Sequence, residues 1–146
     1  MKGFRPIAGL LVGCATAVAI AKVGFWLLRI IWPEYAVAEP HKAYTLGMLL
    51  ARLSIATLLT AGAACATTLV ARDKGRSAWW LGALFLLLSL PFHLHYVWDD
   101  YPVWYHAVYL LSLVPIAGYS GRFLAATLPH RPGPEQRPNK ALHPAP

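Results

Sequence analysis

Short polar segments divide the chain into four long apolar blocks, and this division restricts its fold more than any other feature. The blocks cover residues 6–32, 43–71, 78–98 and 102–128. Each block reaches the ~20 residues that an α-helix needs to cross the hydrocarbon core of a bilayer. Because 58% of the 146 residues are hydrophobic and 13% are charged, a water-soluble domain is excluded. The sequence therefore predicts a membrane protein with four spans.

The composition of the blocks indicates helices rather than strands. Residues 81–90 read LGALFLLLSL, without the alternation of polar and apolar side chains that is typical of a membrane β-barrel. The first block is long, carries Lys22 and Arg29 and lacks a small-residue cleavage site, so we interpret it as a retained span and not a signal peptide. We expect an all-α integral membrane protein in which residues 1–128 form an up-down bundle of four transmembrane helices.

The segment that follows the fourth block has a different composition. Residues 129–146 hold six of the twelve prolines in the chain. Proline cannot continue a helix, and the segment has no apolar run to bury. We therefore predict a disordered, proline-rich cytoplasmic tail.

Basic residues flank one set of span ends. Lys2 and Arg5 precede the first block, the turn at residues 72–76 reads RDKGR, and more basic residues follow the fourth block. The loops on the other side carry acidic residues, namely Glu34, Glu39, Asp99 and Asp100. Because basic residues favour the cytoplasmic side, both termini are predicted to be cytoplasmic, and the compact, alanine-rich spans favour a bacterial inner membrane. This distribution explains the net charge of +7 without nucleic acid as a partner, since the charges form no single stripe.

Cations inside the spans are the first candidates for a functional role. Lys22 and Arg52 lie at nearly the same depth, about 15 Å below the outer end of their spans. A cation near mid-membrane costs roughly 2.5–3.5 kcal/mol, so both side chains are expected to face the bundle interior. Arg29 lies two helical turns beyond Lys22 and is expected to extend toward Glu34 at the surface.

The hairpin between the third and fourth blocks concentrates ionisable and aromatic residues. Residues 89–106 read SLPFHLHYVWDDYPVWYH. On a regular helix His93 and His95 point to different faces, and His95 shares a face with Asp99. His106 lies at a depth similar to that of His95 on the neighbouring helix. The spacing places side chains of both helices close to the outer membrane surface.

Together these residues predict a polar pocket that opens to the outer, periplasmic face. Basic side chains at the bottom of the pocket, surrounded by imidazole and phenol donors, suit an anionic or amphipathic small ligand such as a lipid headgroup. Membrane lipids are therefore the predicted partners. The predicted ligand-binding residues are Lys22, Arg29, Arg52, His93, His95, Asp99, Tyr105, His106 and Tyr109.

Other interpretations remain open at this point. His95, Asp99 and His106 could bind a metal, although their spacing matches no zinc motif. His41 and His106 are the diagonal pair that a bis-histidine haem would need. The chain could also be a non-catalytic scaffold or an accessory subunit of a membrane complex. The sequence identifies no cofactor, and Ser89 with His93 is the one serine–histidine pair at helical spacing, which leaves an enzymatic role undecided.

Small residues recur along one face of the first span. Gly9, Gly13, Ala17 and Ala21 are spaced four apart, which lets another helix approach closely. The partner helix belongs either to the same chain or to a second copy in a homo-oligomer. A four-helix chain must first fill its own interfaces, so the pattern favours packing within the bundle.

Overall fold

A computed structural model of the protein describes residues 4–128. The predicted disordered tail, 129–146, and residues 1–3 lie outside the described residues. The helices are α1 (Phe4–Ile31), α2 (Pro33–Ala38), α3 (Leu46–Ala71), α4 (Arg76–His95) and α5 (Val103–Thr127), with 3₁₀ turns at Glu39–His41 and Trp98–Asp100.

Four of the helices in the described range, α1, α3, α4 and α5, are long and apolar enough to cross a membrane. No strand occurs between residues 4 and 128. The prediction of an all-α bundle with four spans is therefore confirmed. Consecutive long helices run in opposite directions, so α1 and α4 end where α3 and α5 begin; we call this the α2 end of the bundle.

The small residues of α1 pack within the bundle. Gly9, Gly13 and Ala17 are buried, and a Cβ atom added at Gly9 would lie 2.9 Å from the backbone oxygen of Thr67 on α3. Such close backbone approach is what small residues permit in helix pairs. The small residues of α1 therefore form the contact between α1 and α3. α1 also meets α4 in this half of the bundle, where Leu81 lies next to Gly13.

The α4–α5 pair packs by the same principle. A Cβ atom added at Gly82 would lie 2.9 Å from Cα of Val114 on α5. Small side chains dominate the buried core cluster, whose members are Ala17, Ala63, Ala64, Ala78, Leu81 and Ala117. The helices are therefore in close contact in the half of the bundle opposite the α2 end.

Two short loops cover the α2 end. Pro33 starts α2, where a missing N–H costs nothing and the fixed φ favours the first helical turn. Thr45 caps α3 by accepting a hydrogen bond from the backbone N–H of Met48. Lys42 forms an ion pair with Asp100, which joins the loop before α3 to the loop before α5. These segments hold side chains over the ends of the spans.

Candidate ligand site

Arg52 lies on the inward face of α3 near the α2 end. Ala56 and Leu59 follow it at one-turn and two-turn spacing, and all three residues line the same cavity. The Arg52 side chain is 16% exposed. The sequence prediction that Arg52 faces the bundle interior matches its place in the structure.

The guanidinium of Arg52 is held mainly by phenol groups. Its Nη1 donates to the Tyr35 hydroxyl at 2.5 Å and to the Tyr44 hydroxyl at 3.3 Å. Its Nε is buried and has no hydrogen-bond partner among residues 4–128. The carboxylate of Glu39 is 3.9 Å from Nη1. Neutral oxygens therefore provide the close contacts of this cation.

Glu39 is engaged more closely by another arginine. Arg29 donates to both carboxylate oxygens of Glu39, at 2.5 and 3.1 Å. These hydrogen bonds from Arg29 lower the pKa of the Glu39 carboxyl below its ordinary value, so the group is ionised. One carboxylate is thus shared by Arg29 and Arg52, which leaves one positive charge in excess within this group of three.

Aromatic rings surround Arg52. The guanidinium carbon lies 4.9 Å from the ring centroids of Phe25 and Tyr44, and 5.4 Å from that of Tyr101. Cation–π contacts at these distances stabilise a cation that has left water. They do not neutralise its charge.

A column of nearly parallel rings runs from this cage into the bundle. Tyr44 stacks on Tyr101, Tyr101 on Tyr105, Tyr105 on Tyr109 and Tyr109 on His93, with centroid separations of 4.5–6.5 Å and interplanar angles of 10–20°. Stacked aromatic pairs contribute about 0.5–1.5 kcal/mol each beyond their buried area. The column joins the loops at the α2 end to the histidine of α4, and its members Tyr101, Tyr105, Tyr109 and His93 line the cavity.

The cavity itself has a volume of about 470 Å³. Its polar lining comes from Arg52, Ser89, His93, Tyr101, Tyr105 and Tyr109. Its rim includes Leu88 and Phe92 of α4, which are 61% and 52% exposed, and Phe25 of α1 lines it from the other side. The cavity is therefore open on the side between α4 and α1, where exposed apolar side chains of α4 form its rim.

Two histidines meet at the inner side of this cavity. Nδ1 of His93 on α4 is 2.8 Å from Nδ1 of His106 on α5. Nε2 of His106 is 3.2 Å from the backbone oxygen of Trp98. Both residues are buried, and the ring of His106 also stacks on the Trp98 indole at 4.8 Å.

The structure brings together five of the predicted ligand-binding residues. Arg52, His93, Tyr105 and Tyr109 line the cavity, and His106 joins them through His93. His95 was predicted to line the same pocket at a depth similar to that of His106, and this expectation is wrong. His95 is exposed, whereas His93 is buried, because two residues along a helix rotate a side chain by about 200°.

Lys22 does not contribute to this cavity, which corrects the expectation that it faces the interior. Its side chain is exposed. Lys22 follows Gly13 by nine residues, about two and a half helical turns, so it lies on the face opposite the small-residue contact with α3. The close packing of α1 on α3 therefore turns Lys22 outward.

Arg29 is also outside the cavity, with 52% of its side chain exposed. Its partner is Glu39 and not Glu34, which the sequence suggested. Tyr35 explains the difference, because the short helix α2 buries this ring completely and leaves Glu34 exposed. The 3₁₀ turn after α2 then brings Glu39 back over the end of α1.

The residues of the metal interpretation do not converge. His95 and Asp99 are exposed, and both ring nitrogens of His106 have hydrogen-bond partners. Across residues 4–128, no group of three or more histidine, cysteine, aspartate or glutamate side chains is placed to hold a metal ion. The two histidines of the haem interpretation do not form a site either. His41 is exposed on its 3₁₀ turn, whereas both ring nitrogens of His106 are within hydrogen-bond distance of His93 and Trp98.

Sequence reasoning missed several residues of the site. Phe25, Tyr35, Tyr44 and Tyr101 surround Arg52, and none of them was predicted as a site residue. The available signal was the density of tyrosine in the two loops at the α2 end, since a phenol can both stack and hydrogen-bond next to a buried cation. Tyr35 and Glu39 are also four residues apart, which is the spacing of side chains on one helical face.

Comparisons of the chain with protein-family models, curated proteins and solved structures found no match. The fold therefore defines the class: a helical protein with four helices long and apolar enough to span a membrane.

Proposed function

We propose that this protein binds an amphipathic anion of the membrane, a lipid with a phosphate-containing head, in the Arg52 cavity. The observation that carries the proposal is the state of Arg52: a buried cation that lines a cavity, with neutral phenols as its closest partners and an unpartnered Nε. A planar guanidinium matches phosphate oxygens through charge-assisted hydrogen bonds.

The charge balance supports an anionic ligand. Glu39 is the nearby carboxylate, and Arg29 already binds both of its oxygens. A buried unpaired charge is costly, and an anion in the cavity would offset that cost. A single negative charge on the ligand would make the group of two arginines and one glutamate neutral.

The opening supports a ligand with hydrocarbon chains. The polar groups lie on the inner side of the cavity, while the exposed side chains of Leu88 and Phe92 stand at its rim. An anionic head at Arg52 would leave its acyl chains between α4 and α1, beside these apolar side chains. A water-soluble anion would make no use of this rim.

The proposed setting is the outer leaflet of a bacterial inner membrane, with both termini in the cytoplasm. The support is the distribution of charge, since Arg72, Lys74 and Arg76 occupy the turn at the bundle end opposite the site. The Arg52 cavity would then bind a headgroup from the periplasmic side.

Lipid retention in nanodiscs tests the proposal. The full chain is placed in phosphatidylcholine nanodiscs that contain a small fraction of phosphatidylglycerol, and bound lipid is counted by native mass spectrometry. We expect selective retention of phosphatidylglycerol, weakened about 10- to 100-fold in Arg52→Gln because a charged hydrogen bond contributes about 1.5–3 kcal/mol. Arg52→Lys keeps the charge and is expected to be intermediate.

Lys22→Gln is the matched control, since it also removes a cation from the same half of the bundle but outside the cavity. Its retention of phosphatidylglycerol should equal that of the wild type. Water-soluble glycerophosphate separates the two possible sources of phosphate, and it should compete poorly because it lacks acyl chains. Equal retention by wild type and Arg52→Gln would contradict the proposal and favour the scaffold interpretation.

A further inference from the structure

The contacts of His93 and His106 fix where their protons lie. The backbone oxygen of Trp98 can only accept a hydrogen bond, so Nε2 of His106 carries a hydrogen. In neutral His106, Nδ1 is then the acceptor. The hydrogen in the 2.8 Å contact between the two Nδ1 atoms must therefore belong to His93. This assignment leaves Nε2 of His93 as the one ring nitrogen of the pair that neither carries a hydrogen nor accepts one from a residue among 4–128.

The pair can accept one proton without losing a hydrogen bond. A proton added to Nε2 of His93 leaves both contacts of His106 unchanged. A second proton would have to go to Nδ1 of His106, where it would oppose the hydrogen of His93 and break the bond between the rings. The geometry thus gives the pair a capacity of one proton.

The surroundings of the pair determine how that proton is gained. His93 lines the Arg52 cavity. His106 lines a second cavity of about 590 Å³, whose other lining residues are aliphatic side chains, such as Leu90, Val103 and Leu110, and the indole of Trp98. Because that second lining is apolar, we assign proton exchange to the Arg52 side.

The titratable and charged groups around the pair can be named for each packed element. Arg52 comes from α3, Tyr101 from the loop before α5, and Tyr105 and Tyr109 from α5. α1 contributes the uncharged Phe25. Among these groups the permanent charge is that of Arg52, which opposes a second positive charge in the same cavity.

We propose that the His93–His106 pair is a one-proton binding site that takes up a proton when an anion occupies the Arg52 cavity. The anion offsets the charge of Arg52 and can accept a hydrogen bond from the protonated Nε2 of His93. The proton comes from bulk water, and no other bond forms or breaks. This inference rests on the proposed function for its ligand, and it makes lipid binding stronger as the pH falls.

Calorimetry of phosphatidylglycerol binding in buffers with different heats of ionisation measures the protons taken up. Phosphatidylglycerol is the probe because its phosphodiester keeps one negative charge over about pH 5–8, where histidine titrates. We expect uptake to approach one proton per bound lipid. By linkage, affinity should then rise about tenfold for each unit of pH decrease within the interval where uptake is complete.

His93→Asn and His106→Asn are expected to abolish the uptake and the rise in affinity at low pH, and the weaker binding that remains should still depend on Arg52. His95→Asn is the matched control, because it removes an exposed imidazole two residues away on the same helix and should leave the uptake unchanged. If His95→Asn and His93→Asn behave alike, or if the wild type binds without uptake, the inference is overturned and the proposed function stands. Binding that does not depend on Arg52 would instead overturn the proposed function, and the inference with it.

Nitrogen NMR of labelled histidines in the full chain provides a readout that needs no ligand. In the neutral state we expect a hydrogen on Nδ1 of His93 and on Nε2 of His106. This pairing of opposite tautomers supports the assignment of the free nitrogen to His93. Hydrogens on Nε2 of both rings would overturn it even if the variants fold poorly.

Discussion

Replacing Tyr35 with phenylalanine removes the closest hydrogen-bond partner of Arg52 and leaves the packing of the ring in place. Tyr35 is fully buried, and its hydroxyl accepts from Nη1 of Arg52 at 2.5 Å. The same hydroxyl is 3.4 Å from a carboxylate oxygen of Glu39. In Tyr35→Phe, Nη1 keeps the longer contact to Tyr44 and the guanidinium loses its best oxygen.

The expected loss of stability follows from the charge of the donor. A hydrogen bond to a charged group contributes about 1.5–3 kcal/mol, so we expect the free energy of unfolding to fall by about 2 kcal/mol. This loss corresponds to a roughly 30-fold change in the ratio of folded to unfolded protein. Tyr44→Phe removes a 3.3 Å contact and should cost less.

Equilibrium unfolding in mixed micelles of mild detergent and SDS, followed by tryptophan fluorescence, measures these differences. Tyr96→Phe is the control, since Tyr96 is 76% exposed and an exposed substitution changes stability by about 0.5 kcal/mol or less. A loss in Tyr35→Phe no larger than in Tyr96→Phe would refute the reasoning. The hydroxyl would then contribute nothing to holding Arg52.

The alkaline range gives a second measurement on the same variant. Burial raises the pKa of Tyr35 from 10.0 to about 12. Because the folded-state pKa exceeds the unfolded one, the stabilisation is complete below pH 10 and is lost as the pH rises toward 12. Wild type should therefore lose its advantage over Tyr35→Phe between about pH 10 and pH 12, whereas a constant difference would contradict a buried phenol.

Two further predictions concern the acid range and the turn between α3 and α4. Hydrogen bonds from Arg29 lower the pKa of the Glu39 carboxyl below its ordinary value of 4.5. The stability that ionised Glu39 contributes to the fold is therefore present above pH 4.5 and is lost as the pH falls through the lower folded-state pKa. Unfolding curves of Glu39→Gln should lack this acid-dependent loss, and an equal pH dependence in wild type and variant would contradict the Arg29–Glu39 pairing. Gly75 has φ of +81° and an added Cβ would lie 2.8 Å from the backbone of Gly121, so Gly75→Ala should cost at least about 1–2 kcal/mol. Gly47 on α3 is the control, because a Cβ there would lie 3.4 Å from Trp32 and Gly47→Ala should raise the free energy of unfolding by up to about 1 kcal/mol. Similar changes in stability for Gly75→Ala and Gly47→Ala would refute the argument that the backbone at Gly75 requires glycine.

Some features of the site could be predicted from local spacing. Arg52, His93, Tyr105 and Tyr109 were expected in a common pocket, and the structure places them around one cavity. Helical rotation also predicts that His93 and His95 point to different faces, although it does not determine which of them is buried. These inferences needed only the helical period and the cost of charge in hydrocarbon.

Other features depended on contacts between distant residues. Tyr35 and Arg52 are 17 positions apart, and Lys42 and Asp100 are 58 positions apart. Whether Arg29 meets Glu34 or Glu39 depends on the path of α2 and the following turn. No local pattern specifies that path, because it results from burying Tyr35 over the ends of the spans.

The sequence by itself determined the four spans, because each span meets the length and hydropathy requirements of a bilayer through its own residues. It also determined that small residues of α1 would carry a helix contact. Tertiary structure alone decided that this contact turns Lys22 outward, that Glu39 is shared by two arginines, and that His93 rather than His95 pairs with His106. The physical reason is that side-chain partners across a bundle depend on the rotation of each helix against its neighbours, which is set by close packing of the whole bundle and not by any one segment.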